Sequence, residues 1–227
     1  MTAGGAIGVV VALPEELGPL AEGAHSIAVE QGLDVLQSAP VEGQRLLLTV
    51  AGVGKVRAAR AATLLIARGA TRALLSVGVC GALRRAERVG DLLHCQTAIQ
   101  ADLALRGDRE RSSDPALTAA WARVAGSSAA TFLTADRPVL SPWRRLRLAR
   151  AFAGPCAAEM ETAAIAWVAA AAGVPWGALR AVSDDVGIGP SHGFAQNFAT
   201  QAGRAAATIP ALLATLPSSG AEPGPIS

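Results

Sequence analysis

The chain has 227 residues, 51% of them hydrophobic and 17% charged, a balance that predicts one α/β domain with a well-buried core. Its formal net charge of +2, carried by arginines scattered along the chain, offers no basic surface for nucleic acid. Because tyrosine is absent and aromatic residues make up 4% of the chain, stacking platforms for single-stranded nucleic acid are not expected either.

The first apolar run, AGGAIGVVVAL, predicts a buried strand over Ile7–Ala12. No basic residue precedes the run and no small-residue cleavage site follows it, so a signal peptide is not expected. The run is also too short to span a membrane. After the strand, Pro14 suits the first turn of a helix, and Glu15 and Glu16 suit the positive end of a helix dipole.

The next segments predict two edge strands within Ser26–Gln44, followed by a buried strand, a glycine-rich turn and a helix in LLLTVAGVGKVRAARAATLLIARG. Gly52, Gly54 and Lys55 superficially suggest a phosphate-binding loop, but the pattern G-x-x-x-x-G-K-[ST] is absent. We therefore interpret this turn as mainly structural.

A strand over Ala73–Val77 is predicted to run into a glycine-bearing loop, and Gly90-Asp91 then opens another strand. The polar segment after Gln100 predicts irregular solvated surface, followed by a helix over Pro115–Val124.

Ala129–Ala135 predicts a further strand. Ser141-Pro142 then begins the arginine-rich helix WRRLRLAR, which we expect to be an amphipathic helix on the surface.

The stretch Ala157–Asp185 organises the rest of the chain. It predicts a strand ending at Met160-Glu161, a helix over Thr162–Ala172 and a second strand that ends at Asp184. Such a β-α-β unit sets two parallel strands side by side, with both carboxyl ends at the ligand-binding edge of the sheet. We therefore expect Glu161 and Asp184 to face one pocket, although each alone could be a helix-terminal or turn residue.

Phe194–Leu216 predicts an amphipathic helix interrupted near Pro210. The Pro/Gly/Ser-rich tail at 217–227 is predicted to be disordered, which leaves one domain over 1–216.

The three cysteines, Cys80, Cys95 and Cys156, are odd in number and far apart, which argues against a disulfide framework and predicts a cytoplasmic protein. None lies in a C-x-x-C motif and the three histidines show no ligand spacing, so no metal site is predicted. A nucleophilic role for Cys80 is less favoured than a buried thiol, since no histidine is near it in sequence.

Four separated motifs together resemble the nucleoside phosphorylase/nucleosidase family, and most closely its 5′-methylthioadenosine/S-adenosylhomocysteine nucleosidases. They are ALPEEL, AGVGK, the segment ALLSVGVCGALRRAERVGDLL, and MET-AAIA followed by GVPW-xxx-RAVSD, within a similarity from about Ile7 to about Leu216. The resemblance implies a single-domain three-layer α/β fold with a central mixed, partly barrel-like β-sheet. It also implies a small-molecule nucleoside substrate, a homodimer and no cofactor.

The resemblance implies a role for each residue near the two strand ends. Asp184 would donate a proton to the purine N7 and accept a hydrogen bond from a 6-amino group, which requires a protonated carboxyl in a shielded site. Ser183 would orient Asp184, and Arg180 would support the site electrostatically. Glu161 would accept hydrogen bonds from the ribose hydroxyls, and Met160 would pack against the sugar.

At the other side of the site, the family pattern implies that the last acid after the first strand activates the attacking water. We favour Glu16 over Glu15 for this general base. The loop with Gly78, Val79 and Cys80 would line the ribose and the nucleophile.

The choice between hydrolysis and phosphorolysis depends on anion-binding groups, because a phosphate dianion needs converging donors. Hexameric phosphorylases carry an arginine and a serine where this chain has Ser76 and Val79. An acid at Glu16 would repel phosphate, which favours hydrolysis. Arg84 and Arg85 could nevertheless reach an anion, so phosphorolysis stays open.

Two positions depart from the nucleosidase pattern. Val79 stands where nucleosidases usually have serine, so either Glu16 and backbone groups hold the water alone or the substrate differs. Arg137-Pro138-Val139 replaces the segment whose aromatic residue stacks on the purine, and Phe132 or Trp143 are the substitutes considered.

These observations predict an N-glycosidase that releases adenine from a methylthioadenosine- or adenosylhomocysteine-type nucleoside. Two alternatives are a phosphorylase and a hydrolase of a special nucleoside such as futalosine or adenosylhopane. ADL at 101–103 and DVG after Asp184 are similar to futalosine hydrolases, which usually have asparagine at the position of Asp184. A non-catalytic nucleoside-binding protein is the alternative from another class.

Overall fold

The computed structural model describes residues 5–30, 32–104, 107–152, 154–184 and 192–217, with 192–196 as backbone only. The DVG motif at 185–187 and the predicted tail beyond Pro217 lie outside the described residues. The domain boundary at 216 therefore stays a prediction.

In the described residues, ten strands form one mixed sheet. They are β1 (Ile7–Val11), β2 (His25–Glu30), β3 (Leu33–Gln37), β4 (Leu46–Val50), β5 (Ala73–Ala82), β6 (Leu92–Gln100), β7 (Glu110–Ser112), β8 (Ser128–Thr134), β9 (Cys156–Glu159) and β10 (Trp176–Asp184). A 3₁₀ helix spans Pro14–Ala21, and the α-helices are α1 (Lys55–Ala67), α2 (Pro115–Ala125), α3 (Pro142–Ala151), α4 (Thr162–Ala171), α5 (His192–Ala206) and α6 (Ile209–Ala214).

Part of the sheet closes on itself. The order β10-β6-β8-β9-β5 becomes a barrel because β10 also pairs with β5 in parallel, and β1, β4, β3 and β2 extend from β5 as an open wing. This architecture confirms the expected α/β fold with a mixed, partly barrel-like sheet.

Helices cover both faces of the sheet, which gives three layers. One core cluster packs the apolar residues of α1 and α4 against the sheet, and a second packs the 3₁₀ helix, α2 and α6 against the other face. Small residues allow this close packing: a Cβ on Gly8 in β1 would lie 2.8 Å from both Ala70 Cβ and Leu74 Cδ1.

The segment after Val77, predicted as a loop, is instead strand. β5 continues to Ala82, because its second half pairs with β10 in a register that matches Ala181 with Val79 and Val182 with Cys80. The residues Gly78–Ala82 are therefore held by barrel hydrogen bonds.

The prediction that the strands of the β-α-β stretch lie side by side is wrong. β9 and β10 both pair with β5, β9 antiparallel and β10 parallel, so β5 separates them. Gly81 is the common neighbour, since it pairs with Ala158 of β9 and Asp184 of β10. The chain leaves β9 antiparallel to β5, and Glu161 follows at the start of α4.

Two smaller predictions also need correction. Both β2 and β3 were expected to be edge strands. Only β2 lies at the edge of the sheet, because β3 pairs with both β2 and β4. The segment expected to be irregular after Gln100 contains β7, which pairs with β6.

The contribution of the core can be tested with two tryptophans of opposite exposure. Trp121 is 0% exposed and its Nε1 donates to Thr208 Oγ1 at 3.3 Å, whereas Trp143 is 81% exposed. We expect Trp121→Ala to lower the free energy of unfolding by about 3–5 kcal/mol, because it leaves a large cavity. Trp143→Ala should change it by less than about 0.5 kcal/mol. Urea unfolding of both variants checks this, and equal losses would contradict the assigned burial.

Candidate active site

A cavity of about 270 Å³ opens where the 3₁₀ helix, β5, β9 and β10 meet. Most residues that the sequence analysis selected line it, namely Glu16, Val79, Cys80, Met160, Glu161, Ser183 and Asp184. Arg180 and Gly78 are not lining residues, but they contact residues that are. The structure therefore brings together three acids that are remote in the chain.

Glu16 is fixed by three backbone amides. Its Oε2 accepts hydrogen bonds from Ala12 at 2.8 Å and Leu13 at 3.0 Å, and its Oε1 accepts from Val79 at 3.2 Å. Burial raises the pKa of the carboxyl, against the opposing effects of Arg180 and these amides. Glu15 is exposed on the same helical turn and does not line the cavity.

Gly78 gives Glu16 the space it needs. A Cβ at Gly78 would lie 2.2 Å from Glu16 Oε1, a distance that no side chain could adopt without moving the carboxylate. The glycine of this segment is thus required by the close approach of an acid to the β5 backbone.

Glu161 lies at the start of α4 and is held by the AGVGK turn, because Gly54 N–H donates to its Oε1 at 3.0 Å. The turn therefore has more than the packing role predicted for it. Burial, followed by the nearby charge of Glu159, raises the pKa of Glu161 from 4.5 to about 7.

A buried hydrogen-bond network, centred on Arg180 and Glu159, lies next to these acids. Arg180, 2% exposed, donates to Ser76 Oγ at 2.9 Å, to Thr162 Oγ1 at 3.1 Å and to Glu159 Oε2 at 3.3 Å. The same Glu159 oxygen accepts from the backbone amides of Glu161 at 3.0 Å and Thr162 at 2.7 Å.

Sequence reasoning missed Glu159. The available signal was its place in Glu159-Met160-Glu161, as an acid that ends an apolar strand immediately before the helix. A buried carboxylate needs a charged partner and several donors, and Arg180 with the start of α4 supplies them.

Asp184 has a partner that the sequence did not indicate. The single proton of the Ser183 hydroxyl is shared between Asp184 Oδ1 at 3.1 Å and the Cys80 carbonyl at 3.2 Å. Asp184 Oδ2 accepts from Arg145 Nη2 at 2.6 Å. The sequence predicted Asp184 in a shielded site without a charged partner. The structure instead places it in an ion pair with Arg145.

Arg145 belongs to α3, which was predicted to be a surface helix. The helix and its start at Ser141-Pro142 are as predicted, and most of its side chains do face outward, but Arg145 lines the cavity. Helical periodicity could not reveal this, because an arginine on the inner face of a surface helix looks like any other charge.

Neither aromatic residue considered as a substitute for the stacking residue lies at the cavity. Phe132 is fully buried in the core, Trp143 is exposed, and neither lines the cavity. Phe198 of α5 does line it. In the sequence, Phe198 is distinguished only as part of a predicted amphipathic helix.

The other residues considered for chemistry have structural surroundings. The Arg84 guanidinium donates to the carbonyls of Ala149 and Phe152 at the end of α3, and Arg85 is exposed, so neither lines the cavity as an anion site. Burial raises the pKa of the Cys80 thiol, which fits the predicted buried thiol.

Within the described ranges, no group of three or more His, Cys, Asp or Glu side chains is arranged to bind a metal ion. In the same ranges, no helix combines the length and apolarity needed to cross a membrane.

Comparisons with known proteins agree on one family. The family model described as "Phosphorylase superfamily" matches residues 6–216. A 5′-methylthioadenosine/S-adenosylhomocysteine nucleosidase of Geobacillus kaustophilus is 30% identical over 193 residues, covering 78% of this chain and 82% of the relative. A futalosine hydrolase of Thermus thermophilus is 31% identical over 165 residues, covering 65% and 73%.

The fold also matches a solved structure. The S-adenosylhomocysteine nucleosidase of Streptococcus pyogenes, in complex with 5-methylthiotubericidin, superposes with a TM-score of 0.87 at 24% identity. The match covers 95% of this chain and 99% of that one.

The raised pKa of Glu161 predicts how stability depends on pH. A carboxyl with a raised pKa in the folded state stabilises the fold fully below its ordinary pKa, and this contribution is lost as the pH rises through about 7. Glu161→Gln stays neutral, and its amide oxygen can still accept from Gly54 N–H. Between about pH 5 and pH 8, the wild type should therefore lose thermal stability relative to this variant.

Melting temperatures measured across that range for the wild type, Glu161→Gln and the exposed control Glu15→Gln test the prediction. Parallel curves for the wild type and Glu161→Gln would show that Glu161 does not titrate as described.

Proposed function

The chain belongs to the phosphorylase superfamily, and from this premise we propose that it hydrolyses the N-glycosidic bond of an adenine nucleoside and releases adenine. The proposed substrate is of the methylthioadenosine or adenosylhomocysteine type. The observation that carries the proposal is that Glu16, Glu161 and Asp184 line one cavity from three different elements.

Cleavage of this bond develops positive charge on the ribose and negative charge on the departing purine, and an enzyme accelerates it by stabilising both. In the proposal, Asp184 in its acid form protonates the purine N7 and accepts from the 6-amino group. Ser183, which already donates to Asp184 Oδ1, keeps the carboxyl oriented during this transfer.

Glu161 and Met160 are proposed to bind the sugar. Glu161 would accept hydrogen bonds from the ribose hydroxyls, and its position is fixed by the Gly54 amide and the first turn of α4. A carboxylate at this place would also stabilise the oxocarbenium-like transition state electrostatically.

Glu16 is proposed as the general base that takes a proton from the attacking water. Its raised pKa makes it a stronger base at neutral pH than an exposed carboxylate. Val79 has no hydroxyl to hold the water, so the carboxylate and the backbone around it would do so alone.

Charge supports hydrolysis over phosphorolysis. On the Glu16 side of the cavity, Glu16, Glu159 and Glu161 surround the buried cation Arg180, which is already bonded to Glu159. A phosphate dianion placed there would meet net negative charge, whereas a neutral water molecule would not.

A second candidate function is hydrolysis of a futalosine-type nucleoside, which the Thermus thermophilus relative favours. For either substrate we expect a homodimer in the cytoplasm, as the sequence analysis predicted.

One incubation separates these functions. The protein is mixed with methylthioadenosine, adenosylhomocysteine, adenosine, inosine or futalosine, with and without phosphate, and the released base and sugar are identified. We expect adenine and free sugar whether or not phosphate is present. A ribose 1-phosphate product would support a phosphorylase. Release of hypoxanthine from futalosine would support the second candidate function. Binding without turnover would support a non-catalytic nucleoside-binding protein.

Asp184→Asn tests the proton donor. The amide cannot protonate N7, so kcat for adenine release should fall by about 10²–10⁴-fold while the melting temperature stays close to that of the wild type. Unimpaired turnover in this variant would refute the role of Asp184.

Glu16→Gln tests the general base against an adjacent control. The single amide oxygen of glutamine can keep the hydrogen bonds from Ala12 and Leu13 but not the one from Val79, and the side chain cannot take a proton. We expect kcat to fall by about 10²–10⁴-fold, with the melting temperature measured to establish that the variant is folded. Glu15→Gln removes an exposed charge one residue away and should leave kcat nearly unchanged. If the two variants lose activity to the same extent, Glu16 is not the base.

A further inference from the structure

Arg145 occupies the part of the cavity where Asp184 lies. Its Nη2 donates to Asp184 Oδ2 at 2.6 Å, and its Nε donates to the Val139 carbonyl at 3.1 Å. The side chain is 13% exposed, while Arg147 on the same helix is exposed to solvent. One edge of the guanidinium therefore binds two acceptors at the cavity wall.

This pair of donors has the pattern of the proposed leaving group. A 6-aminopurine with a proton at N7 presents two N–H groups side by side, one on the ring and one on the exocyclic nitrogen. The Arg145 edge also presents two N–H groups side by side.

The ion pair blocks the contact proposed between Asp184 and the base. Arg145 Nη2 lies 2.6 Å from Asp184 Oδ2, and both side chains line the cavity. The base and Arg145 cannot occupy the same position beside this carboxyl, so Arg145 has to leave before Asp184 can contact the base.

The attachment of α3 allows such a movement. Ala149 is its one buried residue, and the helix is held at its end by the Arg84 guanidinium, which donates to the carbonyls of Ala149 and Phe152. A helix with so little buried apolar surface can shift at a low cost in free energy. Withdrawal of Arg145 therefore does not require the barrel to open.

We propose that Arg145 is an internal competitor for the base site: it binds Asp184 and the Val139 carbonyl in the free protein and is displaced by the nucleobase. The inference rests on the proposed function, since it takes Asp184 as the group that receives the base. The free energy needed to break the contacts of Arg145 thereby reduces the binding free energy of the substrate by the same amount.

Arg145→Gln removes the charge and shortens the side chain, and Arg147→Gln makes the same change at an exposed position of the same helix. Calorimetric titration of the full chain with adenine should give a Kd about tenfold lower for Arg145→Gln than for the wild type, as expected if the competitor holds the site in about nine-tenths of the molecules. Arg147→Gln should bind like the wild type.

Turnover gives a second readout. With methylthioadenosine, Arg145→Gln should lower KM by about tenfold and change kcat much less, because it removes a contact of the free protein. Arg145→Lys retains the charge but cannot span both acceptors, so its affinity should lie between those of the wild type and Arg145→Gln. Melting temperatures establish that each variant is folded.

An unchanged or weaker affinity for adenine in folded Arg145→Gln and Arg145→Lys would overturn the proposal, since Arg145 would then be neutral or would contact the bound base. The titration needs no turnover. If the wild type binds adenine but cleaves no nucleoside, the proposed function fails while the comparison of affinities still decides the role of Arg145.

Discussion

One buried guanidinium makes the rest of the site possible. Arg180 lies among Glu16, Glu159 and Glu161, and its contacts with Ser76, Glu159 and Thr162 join β10 to β5, β9 and α4. Three buried carboxylates this close together would repel one another, and each alone would be costly to bury in its charged form. Arg180 offsets part of that cost, but burial still raises the pKa of Glu16 and of Glu161, and the charge of Glu159 raises the pKa of Glu161 further.

The strand that contains Ser76 also sets the geometry. β5 is long enough to belong to both the open wing and the barrel, and it lies between β9 and β10. Glu16 packs over Gly78 of this strand and Asp184 packs beside Gly81, where an added Cβ would lie 3.1 Å from Asp184 Oδ2. Two glycines on one strand thus give room for two acids that arrive from different parts of the chain.

Charge is distributed unevenly around the cavity, and the asymmetry matches the proposed reaction. Glu16 and Glu161 lie at one side, where the sugar would become positive, and Asp184 lies at the other side next to Arg145. Arg145 therefore places a cation where the leaving group would become negative, but it does so by occupying the acceptor that this group needs. The contact between Arg145 and Asp184, which stabilises the free protein, consequently limits the access of the nucleobase to Asp184.

The sequence by itself determined the α/β class and nearly all the helices and strands, because apolar periodicity and helix-end residues report local structure and burial directly. Its family motifs and strand ends also indicated Glu16, Glu161 and Asp184, three of the acids that line the cavity. Only the tertiary structure decided that β5 separates β9 from β10, that Glu159 pairs with Arg180, and that Arg145 reaches Asp184. These contacts join residues that are up to 104 positions apart, as for Ser76 and Arg180, and they exist because the barrel closes. The periodicity of apolar residues indicates which face of a strand is buried but not which strand lies next to it, so it cannot predict that the sheet closes into a barrel.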